Sequence, residues 1–546
     1  MEVAGLLVGA AGIAMAFKGA IDTGIFIRSF LNEDATDSSD LGLYLIIEKK
    51  RLQIWGELCK VKNSSTCILR DKPDEIKRLV IQTLGRIKKL SEEADALVKK
   101  YDIGTPAVPA VTVDLNKDLD PDSDMVGEMA TRSNKMKPKL KLRWAFYAQE
   151  DFKEKIEQIH RHNEYLHQIT IEPRLMELLE NGLPSRVLPD INNNNCEKTL
   201  SQLDPIVGKK LGLSALAKLY HQMANADLKG SATRITTNDL EILSPMTGIS
   251  KLKQPDGTTI TVRVEWNTFS AGPDTQKYSD RIKSLGYILE KVSELALRLP
   301  PCYGVFDDAC DADNETRRIG YVFGLPPNGS AGSSGHIPIN YEKDIYRYPP
   351  IRLNELIRNQ KAQVPLLGDR FQLAYVLACA FSCFHAAKWL HKGFHTGSIF
   401  FFQKIGGRID VTEPFITGFQ YSRPQRETSL AYTPLQDPGV EHYYHPDAHH
   451  GFDKRRDLYS LGVVLCEIGR WGLLTDLKKT PKGREEWRDF MLEKALVDLG
   501  WRMGDKYQSA VRTLLDCELP DDNIRHDYFA EQFLDKVMKL LSSCSA

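Results

Sequence analysis

From Phe371 to Leu390 the chain is apolar at helical spacing. It then breaks into the polar stretch His391-Lys392-Gly393-Phe394-His395-Thr396-Gly397-Ser398 and returns to apolar residues at Ile399-Phe400-Phe401. This helix-to-loop transition constrains the fold more than any other segment. Read locally, Leu390-His391-Lys392-Gly393 is a helix ending in a glycine cap, and Asp457 is the N-cap of a later helix. Local readings leave the order of the later elements unexplained. Tyr443-Tyr444-His445-Pro446-Asp447 comes next, and then Asp457-Leu458-Tyr459-Ser460-Leu461-Gly462, continuing to Glu467-Ile468.

That order resembles the protein-kinase family. Phe384-His385 and His391 to Phe401 align without a gap on the L-H…H-R-D-L-K-P-E-N-I-L-L catalytic loop. Tyr443 to Asp447 sits where kinases carry A-P-E. Asp457 to Ile468 resembles the D-x-x-S-x-G-x-x-L-x-E-I helix. The resemblance implies an α+β two-lobed fold over residues 245–546, with a small lobe at about 245–325 and a large lobe at about 340–546. It also implies four working side chains, and none is present. Gly393 stands at the catalytic Asp, Ser398 at the metal-binding Asn, and Glu265 at the β3 Lys of Ile260-Thr261-Val262-Arg263-Val264-Glu265-Trp266. Gly418 replaces the Asp of D-F-G in Phe415 to Gln420. A carboxylate at 265 would repel phosphates, and Gly418 offers Mg²⁺ no oxygen. No G-x-G-x-x-G precedes the β3-like strand; Pro245 to Lys251 is a poor match. The expectation is a pseudokinase: no enzyme activity, cofactor or metal.

Composition fits an ordinary soluble, multidomain chain. It has 546 residues, 42% of them hydrophobic, and a formal net charge of -1. Such a balance gives no reason to expect a nucleic-acid partner. The ten cysteines are scattered without a C-x-x-C, which suits a reducing, cytoplasmic setting. Cys379 and Cys383 are read as packing residues on the apolar helix. His442, His445, His449 and His450 are spaced loosely like metal ligands but have no cysteine nearby, and no metal is expected there.

The N-terminal end is uncharged from Val3 to Phe17. That is short of the about 18 apolar residues of a membrane span, and Glu2 stands where a signal peptide carries basic residues. Gly5 and Gly9 form the small-xxx-small spacing of closely packed helices, in a bundle or in lipid. Leu41–Cys59, Pro73–Lys100, Lys139–Thr170 and Leu211–Met223 read as helices, with a long loop near 103–133. Arg132, Lys135, Lys137, Lys139, Lys141 and Arg143 form a basic run with no acid between Glu128 and Glu150. Such a run either is a solvated face or gains about 1 kcal/mol per residue at an anionic leaflet.

The apolar start, Asp22 to Phe26, Lys50-Arg51-Leu52 with Trp55-Gly56-Glu57, Leu142-Arg143-Trp144-Ala145, Phe152, and Asn163 with Leu166 resemble a fungal HeLo domain. This is the prion-inhibition and propagation domain of cell-death and heterokaryon-incompatibility proteins. The resemblance covers 1–225 and implies an all-α bundle whose N-terminal segment can enter membranes, followed by a linker at 226–244. No Asn/Gly-rich prion-like tail closes the sequence. The layout is similar to that of the mixed lineage kinase domain-like pseudokinase of animal necroptosis, in arrangement rather than sequence.

The expected function is therefore a cell-death-type effector. A protein partner or trigger acts on the kinase-like half, and release or self-oligomerisation frees the helical half for an anionic membrane surface. The membrane-facing residues would be Gly5, Leu6, Leu7, Gly9, Ile13, Phe17 and the six-residue basic run. Two alternatives stand beside it. One is an atypical kinase using Asp410 and Glu413, and the other is a scaffold that never meets a membrane.

Overall fold

The computed structural model describes residues 9–22, 36–100, 148–190, 213–224, 231–245, 247–270, 275–291, 297–308, 316–325, 345–359, 364–404, 407–419, 422–424, 440–450, 452–477, 483–520 and 526–546. Two compact units divide the chain: Met1–Glu172 with Asp190–Cys196, and Pro173–Pro189 with Glu197–Ala546.

Every described element of the first unit is helical. Helices α1 (Ala10–Asp22), α2 (Thr36–Leu58), α3 (Asp74–Lys100) and α4 (Gln149–Thr170) pack around Trp55, Leu84, Ile87, Phe152, Ile156 and Leu166. Acidic residues fill the first turns of α3 (Asp74, Glu75) and α4 (Glu150, Asp151), where they complement the helix dipole. The core also holds a polar network. Glu48 is fully buried, and its carboxylate accepts a hydrogen bond from Asn163 Nδ2 at 2.9 Å and meets His160 Nδ1 at 2.8 Å. Arg51 joins Glu48 to Glu164. Burial alone would raise the Glu48 pKa. The His160 hydrogen bond and the Arg51 charge overcome it and hold the carboxyl below its usual range. Trp55 Nε1 donates to Thr170 Oγ1 at 2.8 Å.

The second unit opens with α5 (Pro173–Val187) and α6 (Leu213–Ala224). The sequence places a boundary near 225, whereas compactness groups these two helices with the C-terminal residues. Asn181 Nδ2 donates to the Tyr375 hydroxyl at 3.0 Å, and Gly182 lies against the Leu534 side chain. A six-stranded mixed sheet comes next: β1 (Arg234–Ile235), β2 (Leu240–Ser244), β3 (Ile249–Lys253), β4 (Thr259–Ser270), β5 (Cys302–Asp308) and β6 (Thr316–Gly324). Its order is β1-β5-β6-β4-β3-β2, and only the β1–β5 pair is parallel. Val262, Val264, Phe306 and Val322 form the core on one face. Helix α7 (Thr275–Lys291) lies between β4 and β5 in the sequence.

The rest of this unit is mainly helical. Strand β7 (Ile351–Arg352) leads into α8 (Leu353–Arg358) and α9 (Leu367–Ala386). The short strands β8 (Trp389–Leu390), β9 (Ile399–Phe401) and β10 (Phe415–Ile416) come after it, then α10 (Lys454–Arg470), α11 (Arg484–Phe490), α12 (Leu496–Met503), α13 (Asp505–Leu515) and α14 (His526–Phe533). Two local readings are corrected. Helix α9 stops at Ala386 and Trp389-Leu390 is strand, so Gly393 does not cap it; Lys388, at φ 59°, makes the left-handed exit instead. The N-cap of α10 is Asp453, whose side chain accepts from the Arg456 backbone N–H, and Asp457 lies one turn inside the helix.

Candidate functional site

Asp457 has no capping role and serves a distant loop instead. Its buried carboxylate accepts the backbone N–H of His391 at 3.0 Å and of Lys392 at 2.9 Å, and lies 3.0 Å from His385 Nε2. A carboxylate with several such donors is a strong local clamp. Around it, Tyr444 Oη donates to the Lys392 carbonyl and Ser422 Oγ to the His391 carbonyl, each at 2.9 Å. The His391 ring donates from Nε2 to the Thr417 carbonyl at 2.9 Å, and burial pushes its pKa down to about 4. The loop after α9 is therefore fixed by groups from several later segments of the chain.

The four positions that the kinase resemblance singles out converge at this loop. Glu265, on β4, is buried and accepts the Gly418 backbone N–H at 2.7 Å. Its other oxygen is 3.7 Å from Arg263 Nη1. Arg263 lies over the Phe400 ring at 4.6 Å. Gly418 has φ 82°, and a Cβ there would sit 2.8 Å from Ser398 Oγ. Ser398 Oγ in turn approaches the Gly393 carbonyl at 3.4 Å and His395 Nδ1 at 2.8 Å. Residues far apart in sequence thus close on one another, with a carboxylate tied to backbone where the kinase resemblance implies a lysine.

The other candidate residues are engaged locally. Asp410 caps its own turn by accepting from Thr412 N and Oγ1, and Glu413 pairs with Arg298 at 2.7 Å. His442 lies tilted against Trp487 and His445 meets the Tyr459 ring edge-on. Among the described residues no group of three or more His, Cys, Asp or Glu is positioned to hold a metal ion. Cys383 is buried, and burial pushes its thiol up to about 12, as suits a packing residue.

On α1, Ile13 and Phe17 are buried. The Phe17 ring fills the space over Gly56, where a Cβ would lie 2.2 Å from a ring atom, and it sits 5.9 Å from Trp55. Gly9 has open space around it. Gly5, Leu6, Leu7, Arg132, Lys135, Lys137, Lys139, Lys141 and Arg143 lie outside the described residues. No helix among the described residues is long and apolar enough to cross a membrane. The Phe17–Gly56 contact and the Asp457 clamp both escape single-sequence reasoning. Their residues are visible in Trp55-Gly56-Glu57 and Asp457-Leu458, but their partners are not.

Comparison with known families gives two matches. Residues 322–539 match a domain of unknown function (DUF7580), which carries no kinase-like assignment. No curated protein matches the chain. Residues 5–186 match HeLo, described as prion-inhibition and propagation, so the N-terminal part of the chain is similar to that family, as its residues lead one to expect.

Proposed function

We propose that this chain is a cell-death-type effector with no catalytic step, in which a kinase-like second unit restrains a helical unit that acts on membranes. The observation that carries the proposal is the storage of α1. Ile13 and Phe17 are seated on the bundle, and Phe17 depends on a side-chain-free Gly56. Burial of each large apolar side chain is worth about 1.5–3 kcal/mol. That is enough to hold α1 at rest and small enough for a trigger to overcome. The HeLo match supports the effector half of the reading. The pseudokinase half is supported by the mutual closure of Glu265, Gly418, Ser398 and Gly393. Glu265 offers negative charge where nucleotide phosphates would need positive charge.

Dye release from anionic vesicles tests the proposal with the full chain. Gly56→Val evicts Phe17, so this variant should bind vesicles and release dye at concentrations where the wild type does neither. Equal inertness of both, with α1 of the variant shown by proteolysis to be detached, would sink the membrane reading.

A further inference from the structure

Within the second unit, side chains of α5, α6, α9, α10 and α14 enclose a cavity of about 30 Å³ that shares no residue with the closure around Glu265 and Gly418. One water needs about 10–15 Å³, so the cavity has room for a small polar head group. Most of its wall is apolar, with Phe529 and Phe533 the largest contributors. Three basic side chains nevertheless line it, His385, Lys388 and Lys454, and no carboxylate does. Lys388 Nζ lies 4.2 Å from the centre of the Tyr220 ring, and Lys454 Nζ lies 5.4 Å from that of Phe529. Both rings line the cavity, so each ammonium is held against its wall by a cation–π contact that leaves the charge in place. Lys454 is buried, and Lys388 forms no ion pair with a described carboxylate. Lys388 also makes the left-handed exit from α9 at φ 59°, a conformation in which glycine is at ease and a longer side chain is strained. A glycine would make that turn more easily but would bring no charge to the cavity. Asp457, the acid behind His385, is already engaged by His385 Nε2 and by two backbone N–H groups. The Ser382 hydroxyl and His385 Nδ1 have no hydrogen-bond partner among the described residues.

We propose that this cavity binds a small aliphatic monocarboxylic acid, with its carboxylate between Lys388 and Lys454. Ammonium groups act on such a head as point charges, and a carboxylate also accepts the hydrogen bond that the Ser382 hydroxyl has to give. Apolar walls with a few convergent polar groups are the usual make-up of a small-molecule site. They call for a ligand that joins one negative charge to a hydrocarbon body. The volume takes the head group alone, so the chain would run along Phe529 and Phe533 and leave past Ser185 and Ala530, lining residues that keep some exposure. The proposal depends on neither the membrane reading nor the pseudokinase reading.

Titration calorimetry of the full chain with hexanoate tests the site, against hexan-1-ol, which has the body without the charge, and inorganic phosphate, which has charge without the body. Hexanoate should bind saturably and the other two should not. Lys388→Gly should weaken hexanoate binding about tenfold, a change of about 1.4 kcal/mol, with a melting temperature equal to or above the wild type's, since glycine suits the left-handed turn. Ala530→Leu fills the mouth of the cavity while keeping every charge, and should weaken binding as well. Lys251→Gln, which removes an exposed lysine from β3 outside the cavity, should leave binding unchanged. The proposal is overturned if hexanoate does not bind, if phosphate or hexan-1-ol binds as well as hexanoate, if binding survives both cavity substitutions, or if Lys251→Gln weakens it equally.

Discussion

At the residue scale, two buried groups set how stability responds to pH. Glu467 accepts from Tyr443 Oη at 2.8 Å and from the Leu474 backbone N–H at 2.9 Å, and burial pushes its pKa up to about 7. The folded value lies above the unfolded one. Its contribution is therefore fully present at low pH and is lost as pH rises from the usual glutamate range through about 7. Glu467→Gln should remove that loss, giving a variant whose melting temperature at pH 8 exceeds the wild type's while the two converge near pH 5. His167, in the helical unit, behaves in the opposite sense. Burial and then the Arg51 charge push its pKa down to about 3, and neither ring nitrogen has a hydrogen-bond partner among the described residues. Below its ordinary value of about 6.5 the unfolded chain takes up a proton that the folded one refuses, so stability falls as pH drops from 6.5 toward 3, by about 1.4 kcal/mol per unit of pKa difference. His167→Phe should flatten that acid limb in a pH series of urea melts. Gly418 supplies a third residue-scale expectation. Its left-handed φ and the nearby Ser398 Oγ oppose any side chain. Gly418→Asp should therefore cost about 1–3 kcal/mol in chemical denaturation rather than create a metal site.

At the scale of elements, α1 is held by shape, whereas α4 is held by buried charge. The Glu48–Arg51–His160–Asn163 network ties α2 to α4 through groups that have little access to water. Removing the Glu48 carboxylate strips His160 of its buried partner and leaves Arg51 with Glu164 alone. Glu48→Ala should accordingly destabilise the helical unit by about 3–5 kcal/mol, measured as an earlier urea transition, while Ile156→Val should cost only about 1 kcal/mol. Much of this level is legible in the sequence. Periodicity marks α3 to within a residue, because its apolar stripe is long, whereas α2 is apolar from Leu41 on and buried on nearly every side. Periodicity extends α9 through Leu390, since nothing in Ala387-Lys388 announces a left-handed turn. Asp457 reads as a cap, because a carboxylate at a helix start looks the same whether it serves its own helix or a loop 65 residues away.

At the scale of the molecule, the compact units and the family matches partition the chain differently. The HeLo match ends at residue 186, yet α5 from Pro173 belongs to the second compact unit. The helix most directly continuous with α4 is thus built into the unit proposed to restrain it. Thermal melting with ATP and Mg²⁺ examines the second unit as a whole. With Glu265 tied to Gly418, the melting temperature should not move. A rise with phosphate transfer to a protein substrate would replace the proposed reading with an atypical kinase.

The sequence by itself determined the helical character of the first unit and the mix of strand and helix in the second, and it singled out Glu265, Gly393, Ser398 and Gly418 through the kinase resemblance. Those properties depend on residue type and local spacing. Only the tertiary structure decided that Phe17 needs Gly56, that Asp457 holds the loop at His391, and that Glu265 closes on Gly418 across 153 residues of chain. Periodicity fixes which face of an element is apolar, but a contact between distant segments depends on how those faces pack, and that is settled only when the whole chain closes.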